Sequence, residues 1–213
     1  MKLSTNFLKD YIDIDVDVDV KQLAEDMTRV GNEYDSASNL INATKLVIGQ
    51  ITECEPHPDS DHLHLCKVNI GTEVLDIVCG APNARTGLKV IVALDGAVLP
   101  EKTIKKGMIR GQESNGMLCS IAELGLEHKF LKPEDSEGIA ELGEDAEIGG
   151  DPIKYLQMDD GVIDFELTAN RGDLLSILGM AYELGAIYDK PVKEIDLKHN
   201  EENEDAVSYT HLR

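Results

Sequence analysis

Hydrophobic positions change period along the chain, and each change marks a different element. Leu3, Phe7, Leu8 and Tyr11 recur at helical spacing, and Lys21–Val30 sets Leu23, Met27 and Val30 on one face of a second helix. Asp19 with Gln22 three residues on predicts a capping box there, and Gly31 a C-terminal cap. Residues 1–40 are therefore expected to form a small N-terminal α/β unit around a helix pair. Between the helices Asp13, Asp15, Asp17 and Asp19 alternate with Ile14, Val16, Val18 and Val20, the period-two signature of a half-solvated strand or extended connection. A calcium loop does not fit, because valine stands where the loop needs glycine and no glutamate closes the ligand set.

From Leu46 onward the pattern shortens. Leu46–Glu53, Leu63–Ile70, Val74–Cys79, Lys89–Leu94 and Gly116–Ile121 read as strands, separated by turn signals at Gly71-Thr72, Ala81-Pro82-Asn83 and Asp95-Gly96. Short strands with glycine-rich corners predict an OB-type β-barrel over 41–150. Beyond Asp151 the run Val162–Leu167 alternates like a strand, Thr168–Asp173 forms a polar turn, and Leu174–Tyr188 predicts an apolar helix with Asp173 as N-cap. The expected fold class is α+β and multidomain: the central OB-type β-barrel, flanked by the small N-terminal α/β unit and by the start of a third α/β domain over 151–193. Residues 194–213 form an acidic tail expected to be disordered. Its last part, Val207–Arg213, continues neither the acidic stretch nor any pattern before it and reads as a gene-assembly or read-through tail.

Composition narrows what such a barrel can do. Aromatic residues make up 4% of the chain and tryptophan is absent, so aliphatic side chains must fill the core and few rings are available for base stacking. The net charge of -21 excludes a protein that coats nucleic acid indiscriminately. That charge is uneven. Residues 85–112 carry six basic side chains (Arg85, Lys89, Lys102, Lys105, Lys106, Arg110) against two acidic ones (Asp95, Glu101), so this window is +4 and the remainder -25. A basic island in an acidic body suits a module that orients a polyanion on one face, and equally suits a plain solvated surface. Cys54, Cys66, Cys79 and Cys119 lie in or beside apolar runs without CxxC spacing, as buried reduced thiols do in a reducing compartment. The N-terminus lacks the apolar core of a signal peptide, and the longest aliphatic run, Val90–Leu94, is too short for a bilayer span, so a cytoplasmic location is expected. The Asn42-Ala43-Thr44 sequon then has no role.

Candidate chemistry points to binding. No P-loop and no GxSxG elbow is present, and no catalytic constellation is visible. Cys54, His57, His62, His64 and Cys66 are close in sequence, but their spacing is not a standard zinc ligand set. Within the basic island, Arg85, Lys89, Lys105, Lys106 and Arg110 fall in turns or at strand ends, where side chains and free backbone N–H groups meet phosphates, and Ser114, Asn115 and Ser120 could add hydrogen bonds. Asn170, Arg171 and Asp173 read as a structural turn: Asn170 shapes it, Arg171 pairs with a carboxylate such as Asp164 or Glu166, and Asp173 caps the following helix.

The order of three segments carries a resemblance. MKLSTNFLKDYIDID with a helix ending RVGNEYD comes first, then HPDSDHLHLCKV, IVCGAPN, VALDGAVLP, IRG, SNGMLCS and ELGL, then DFELTANRGDLLSILGMAYELGA. In this order they are similar, over residues 1–193, to the N-terminal portion of bacterial phenylalanyl-tRNA synthetase beta subunits, whose barrel is the tRNA-binding, EMAP-II-like module found also in other synthetases and in free-standing tRNA-binding proteins. His62 stands where the family usually carries a basic residue, and Ala169 where proline is common. The resemblance implies a fragment of a longer subunit, since editing, magnesium-associated and anticodon-binding regions would follow. It implies tRNA and the alpha subunit as partners in a two-alpha, two-beta heterotetramer, with no membrane. ATP and Mg2+ would serve the complete enzyme, the adenylate site belonging to the alpha subunit, and no cofactor is expected in this fragment. The place of Asn170, Arg171 and Asp173 is then the start of the editing-domain region, whose pocket would lie beyond this chain. The alternative is a stand-alone tRNA-binding or structural adaptor built on the same barrel.

Overall fold

The computed structural model describes residues 1–14, 19–126, 131 and 138–193. The alternating stretch at Asp15–Val18, the acidic tail and Val207–Arg213, for which the sequence predicts an extended connection, disorder and an appended tail, lie outside the described residues. The chain divides into two compact units, residues 1–36 with 163–213 and residues 37–162.

The first unit contains a three-stranded sheet in the order β1 (Lys2–Ser4), β10 (Gly161–Glu166), β2 (Glu33–Asn39), the last two strands being those that lead into and out of the second unit. Its helices are α1 (Thr5–Leu8), α2 (Val20–Arg29) and α4 (Ile177–Tyr188), the short helix α3 (Pro152–Tyr155) belonging to the second unit. Leu23 and Met27 of α2 are buried as read from the sequence, with Ala24 beside them, whereas Val30, read onto the same face, lies past the helix end as its C-cap and is 47% exposed; Met180, Ala181 and Leu184 of α4 are buried. Leu3, however, belongs to a strand, and α1 starts only after Ser4, whose side chain accepts from the Phe7 N–H. The predicted capping box does not form. Asp19 makes no side-chain cap bond, and Gln22 donates instead to Asp26 Oδ1 at 3.0 Å, an i,i+4 contact along the helix surface.

The second unit is the barrel. Its antiparallel sheet runs β5 (Val74–Cys79), β4 (His64–Asn69), β3 (Leu46–Pro56), β6 (Lys89–Ala93), β9 (Met117–Cys119). β3 is the long central strand, paired with β4 through Cys54↔Cys66 and with β6 through Gly49↔Val90, and a bulge between Ile51 and Glu53 bends it. The sheet curls so that the chain just before β9 reaches β5. Asn115 N–H donates to Asp76 O at 2.8 Å, and the Ser114 hydroxyl accepts from Val78 N–H at 3.1 Å and donates to Gly116 O at 3.0 Å, closing the seam beside β5. This is an OB-type barrel.

β6 shows why the sequence alternation is lost in one place. Val90 and Val92 face one apolar cluster with Ile51, Val68 and Ile77, while Ile91 and Ala93 face another with Ile48, Leu99 and Leu124. Both faces are buried, so the strand reads as an unbroken aliphatic run. Gly49 in β3 crosses its neighbours closely: a Cβ there would stand 2.7 Å from both Val68 Cγ1 and Val92 Cγ2. Among the described residues no helix is long and apolar enough to cross a membrane.

Candidate nucleic-acid interface

Beyond β6 the chain makes a short excursion, Asp95–Lys106, and returns as a hairpin of β7 (Gly107–Ile109) and β8 (Gln112–Ser114). Arg110 and Gly111 form its two-residue tip at φ 46° and 82°, the left-handed pair that a type I′ turn requires. Arg110 Nη1 donates to Asp59 O at 3.1 Å, which docks the tip against the 57–61 loop. That loop is held by His57, 3% exposed, whose N–H donates to Leu63 O at 2.9 Å and whose Nδ1 accepts from Asp59 N–H at 3.0 Å. At the base of the hairpin, Lys106 N–H donates to Asp95 Oδ1 at 2.9 Å, fixing the backbone while the side chains of Lys105 and Lys106 stay exposed. Met108 and Ile109 are exposed beside them, at 68% and 41%.

The structure divides the predicted contact residues. Arg85 is held by Glu141 through two hydrogen bonds, 2.7 and 2.6 Å, and the guanidinium keeps the Glu141 carboxyl below the usual carboxylate range. Asn83 positions this pair: its amide donates to Ile139 O and Glu141 Oε1 and accepts from Ile139 N–H. Lys89 donates to the carbonyl oxygens of Glu144 and Ala146. Lys102 is bridged to Glu123 at 2.7 Å. Ser114 closes the barrel seam, and Ser120, 9% exposed, bonds Glu123 through both its N–H and its hydroxyl. Asn115 is half-buried and ties β5 through its backbone. What remains is a strip of Lys105, Lys106 and Arg110, none of which has a carboxylate within ion-pair distance among the described residues. Met108 and Ile109 of this strip were not predicted; their exposure is invisible to a sequence pattern that assigns apolar residues to the core. No group of three or more His, Cys, Asp or Glu among the described residues is placed to hold a metal.

In the other unit the turn residues find different partners from those expected. Arg171 donates to Asp173, to Glu183 Oε2 at 2.9 Å and to Asn32 Oδ1 at 3.1 Å, and not to Asp164 or Glu166 on β10. Asn32, 2% exposed, completes the set by donating to Glu183 Oε1 at 3.1 Å. Asp173 does not cap α4, because Gly172–Leu175 first makes a 3-10 turn and Arg171 takes the carboxylate. The cap is Ser176, whose hydroxyl accepts from Gly179 N–H at 3.0 Å. Asn170 is exposed on the turn.

Residues 46–151, which span the barrel and its basic strip, match the family model described as "Putative tRNA binding domain". The whole chain is similar to proteins named "Phenylalanine--tRNA ligase beta subunit": 48% identical over 193 residues to that of Lactiplantibacillus plantarum, covering 89% of this chain and 24% of the relative. The Streptococcus pneumoniae protein is 45% identical over 208 residues (97% of this chain, 26% of the relative). The Bacillus subtilis protein is 43% identical over 216 residues (100% and 27%). The chain belongs to this beta-subunit family. It spans about a quarter of the length of the phenylalanine-tRNA ligase beta subunits it matches. Both units take part in the likeness, so the Asn32–Arg171–Glu183 set and the barrel alike lie in the portion shared with those ligase subunits.

Proposed function

We propose that this chain is a non-catalytic, tRNA-binding and scaffolding portion of a phenylalanine-tRNA ligase beta subunit. The complete enzyme, cytoplasmic and assembled with an alpha subunit as a two-alpha, two-beta heterotetramer, attaches phenylalanine to its tRNA at the expense of ATP with Mg2+. That chemistry belongs to the alpha subunit; the residues of this chain supply RNA contact and support. The barrel of 41–150 is the RNA-binding domain, and 1–40 and 151–193 are the scaffold, the latter opening the editing region.

The observation that carries the reading is the strip Lys105, Lys106 and Arg110, left without carboxylate partners among the described residues in a chain of net charge -21. Such a strip attracts phosphate locally while the acidic remainder repels RNA elsewhere. Arg85, Lys89, Ser114 and Ser120 are committed to internal contacts and stay outside the proposed contact surface; Asn115 borders it.

The test is tRNA binding by the 213-residue chain over a salt series, beside a variant with Lys105, Lys106 and Arg110 changed to Ala. Each lost phosphate contact lowers the log–log salt slope by about 0.7–0.9, so the variant is expected to lose about 2 to 3 from it. An unchanged slope, or no binding at low salt, refutes the assignment. Exposed Met108 favours a second reading, in which the hairpin is a protein-docking element of a stand-alone adaptor. A salt slope in the variant equal to the parent's, together with loss of a protein partner on Met108→Ser, would select it.

A further inference from the structure

Three of the four cysteines gather on the inward face of one end of the barrel. Cys54 of β3 and Cys66 of β4 are direct cross-strand partners, and their sulfurs stand 3.8 Å apart. Cys66 is 2% exposed and packs in the barrel core, while Cys54 is half-buried at its edge. Cys79 of β5 lies opposite His64, and Ile77 lies opposite Cys66, so Cys79 is only a diagonal neighbour of Cys66. Directly opposed residues in an antiparallel pair have Cα atoms about 4.5–5.5 Å apart, inside the range a disulfide spans; diagonal ones are about 7–8 Å apart, outside it. Cys119 sits in the other apolar cluster. Among these thiols the backbone thus selects one pair.

We infer that Cys54 and Cys66 form a reversible disulfide site, oxidised by exchange with a low-molecular-weight disulfide. The half-buried Cys54, as thiolate, attacks one sulfur of the external disulfide; that S–S bond breaks and one small thiolate leaves. Cys66 then loses its proton and attacks the Cys54 sulfur of the mixed disulfide, forming the Cys54–Cys66 bond and releasing the second small thiolate. Two protein thiols are oxidised, one external disulfide is reduced to two thiols, and the two protons pass to solvent or to the departing thiolates. Closing the pair moves the sulfurs from 3.8 Å to about 2.05 Å, within the reach of side-chain rotation on fixed strands.

The order of attack follows from burial. Desolvation pushes the Cys66 thiol well above the ordinary thiol range, so it is a poor first nucleophile and acts once the mixed disulfide lies beside it. The bond would close the segment that carries the 57–63 loop, whose Asp59 carbonyl receives Arg110.

The experiment treats the reduced 213-residue chain with oxidised glutathione, then counts free thiols under denaturing conditions by maleimide mass tagging and maps the peptides. The expected result is a fall from four free thiols to two, a Cys54–Cys66 linked peptide, and recovery of all four thiols with dithiothreitol. In Cys66→Ser, glutathione is expected to remain attached to Cys54, because the resolving thiol is gone. Four persisting thiols, a stable glutathione adduct on Cys54 of the unchanged chain, or a bond involving Cys79, Cys119 or a second chain overturns the inference. Should Cys66→Ser not fold, the peptide map of the unchanged chain decides alone.

Discussion

Changing Gly49 to Ala tests the packing that holds the barrel's three inner strands together. The added methyl would stand 2.7 Å from Val68 Cγ1 and from Val92 Cγ2, and 3.3 Å from Ile70 Cγ2. Val68 and Val92 are 0% exposed and Ile70 is 5% exposed, so none can swing into solvent. All three are β-branched and stiff at χ1, and forcing two valines off their rotamers costs about 0.5–1.5 kcal/mol each. Alanine's smaller loss of backbone freedom offsets about 0.4–1 kcal/mol. The net expectation is destabilisation by about 1–2 kcal/mol, within the range for overpacked cores. With no tryptophan in the chain, urea unfolding followed by far-UV circular dichroism is the suitable assay. The midpoint should fall, and adding Val92→Ala should restore part of the loss by making room, a coupling that the sum of the single changes would not give. Gly172, where a Cβ would meet nothing within 4 Å, is the control, and Gly172→Ala should stabilise slightly, by about 0.4–1 kcal/mol at most. If Gly49→Ala matches or exceeds the parent in stability, close strand approach is not why glycine stands there.

Two further outcomes follow from the ionic contacts. Tyr188 Oη donates to Asp26 Oδ2 at 2.7 Å, and this bond, followed by the influence of Gln22 and Arg29, keeps the Asp26 carboxyl below its ordinary range. A carboxylate lowered on folding stabilises above its unfolded pKa, and the contribution is lost as pH falls through the folded value; Tyr188→Phe should therefore cost about 1 kcal/mol at neutral pH and little in acid, with Asp26 titrating higher by NMR. A cost that persists unchanged in acid would contradict the assignment. Glu141→Gln removes the carboxylate that holds Arg85, so tRNA binding should strengthen and its salt slope steepen by up to about 0.9, measured in the same salt series; a slope equal to the parent's would mean that Arg85 does not reach RNA even when released.

The barrel was legible because its physics is local. Val74–Cys79 is observed at the bounds read from the sequence, and the other four strands differ only at their ends, since alternation and turn residues mark them directly. The β7–β8 hairpin was not, because each strand has only three residues and its apolar Met108 and Ile109 face outward. The basic island was visible as composition, but not the division within it. Arg85 is neutralised by a carboxylate 56 positions away and Lys102 by one 21 positions away, and only the fold brings them together. The same distance effect hid Asn32 as a partner of Arg171, 139 positions on, while nearer carboxylates on β10 looked equally suitable. Asp173 has the residue type of a cap but is followed by a 3-10 turn, which moves the start of the helix to Ser176.

The segment 139–146 returns along the barrel beside the first of the island's cations. Its Glu141 carboxylate takes Arg85, and its Glu144 and Ala146 carbonyls take Lys89. The charge that the barrel offers to a polyanion is thus adjusted from a place that need not touch the polyanion at all. Exchanging this one stretch between relatives would retune how a barrel responds to ionic strength while leaving its hairpin unaltered, so kinship at the contact residues alone is a poor guide to how tightly two such barrels hold RNA.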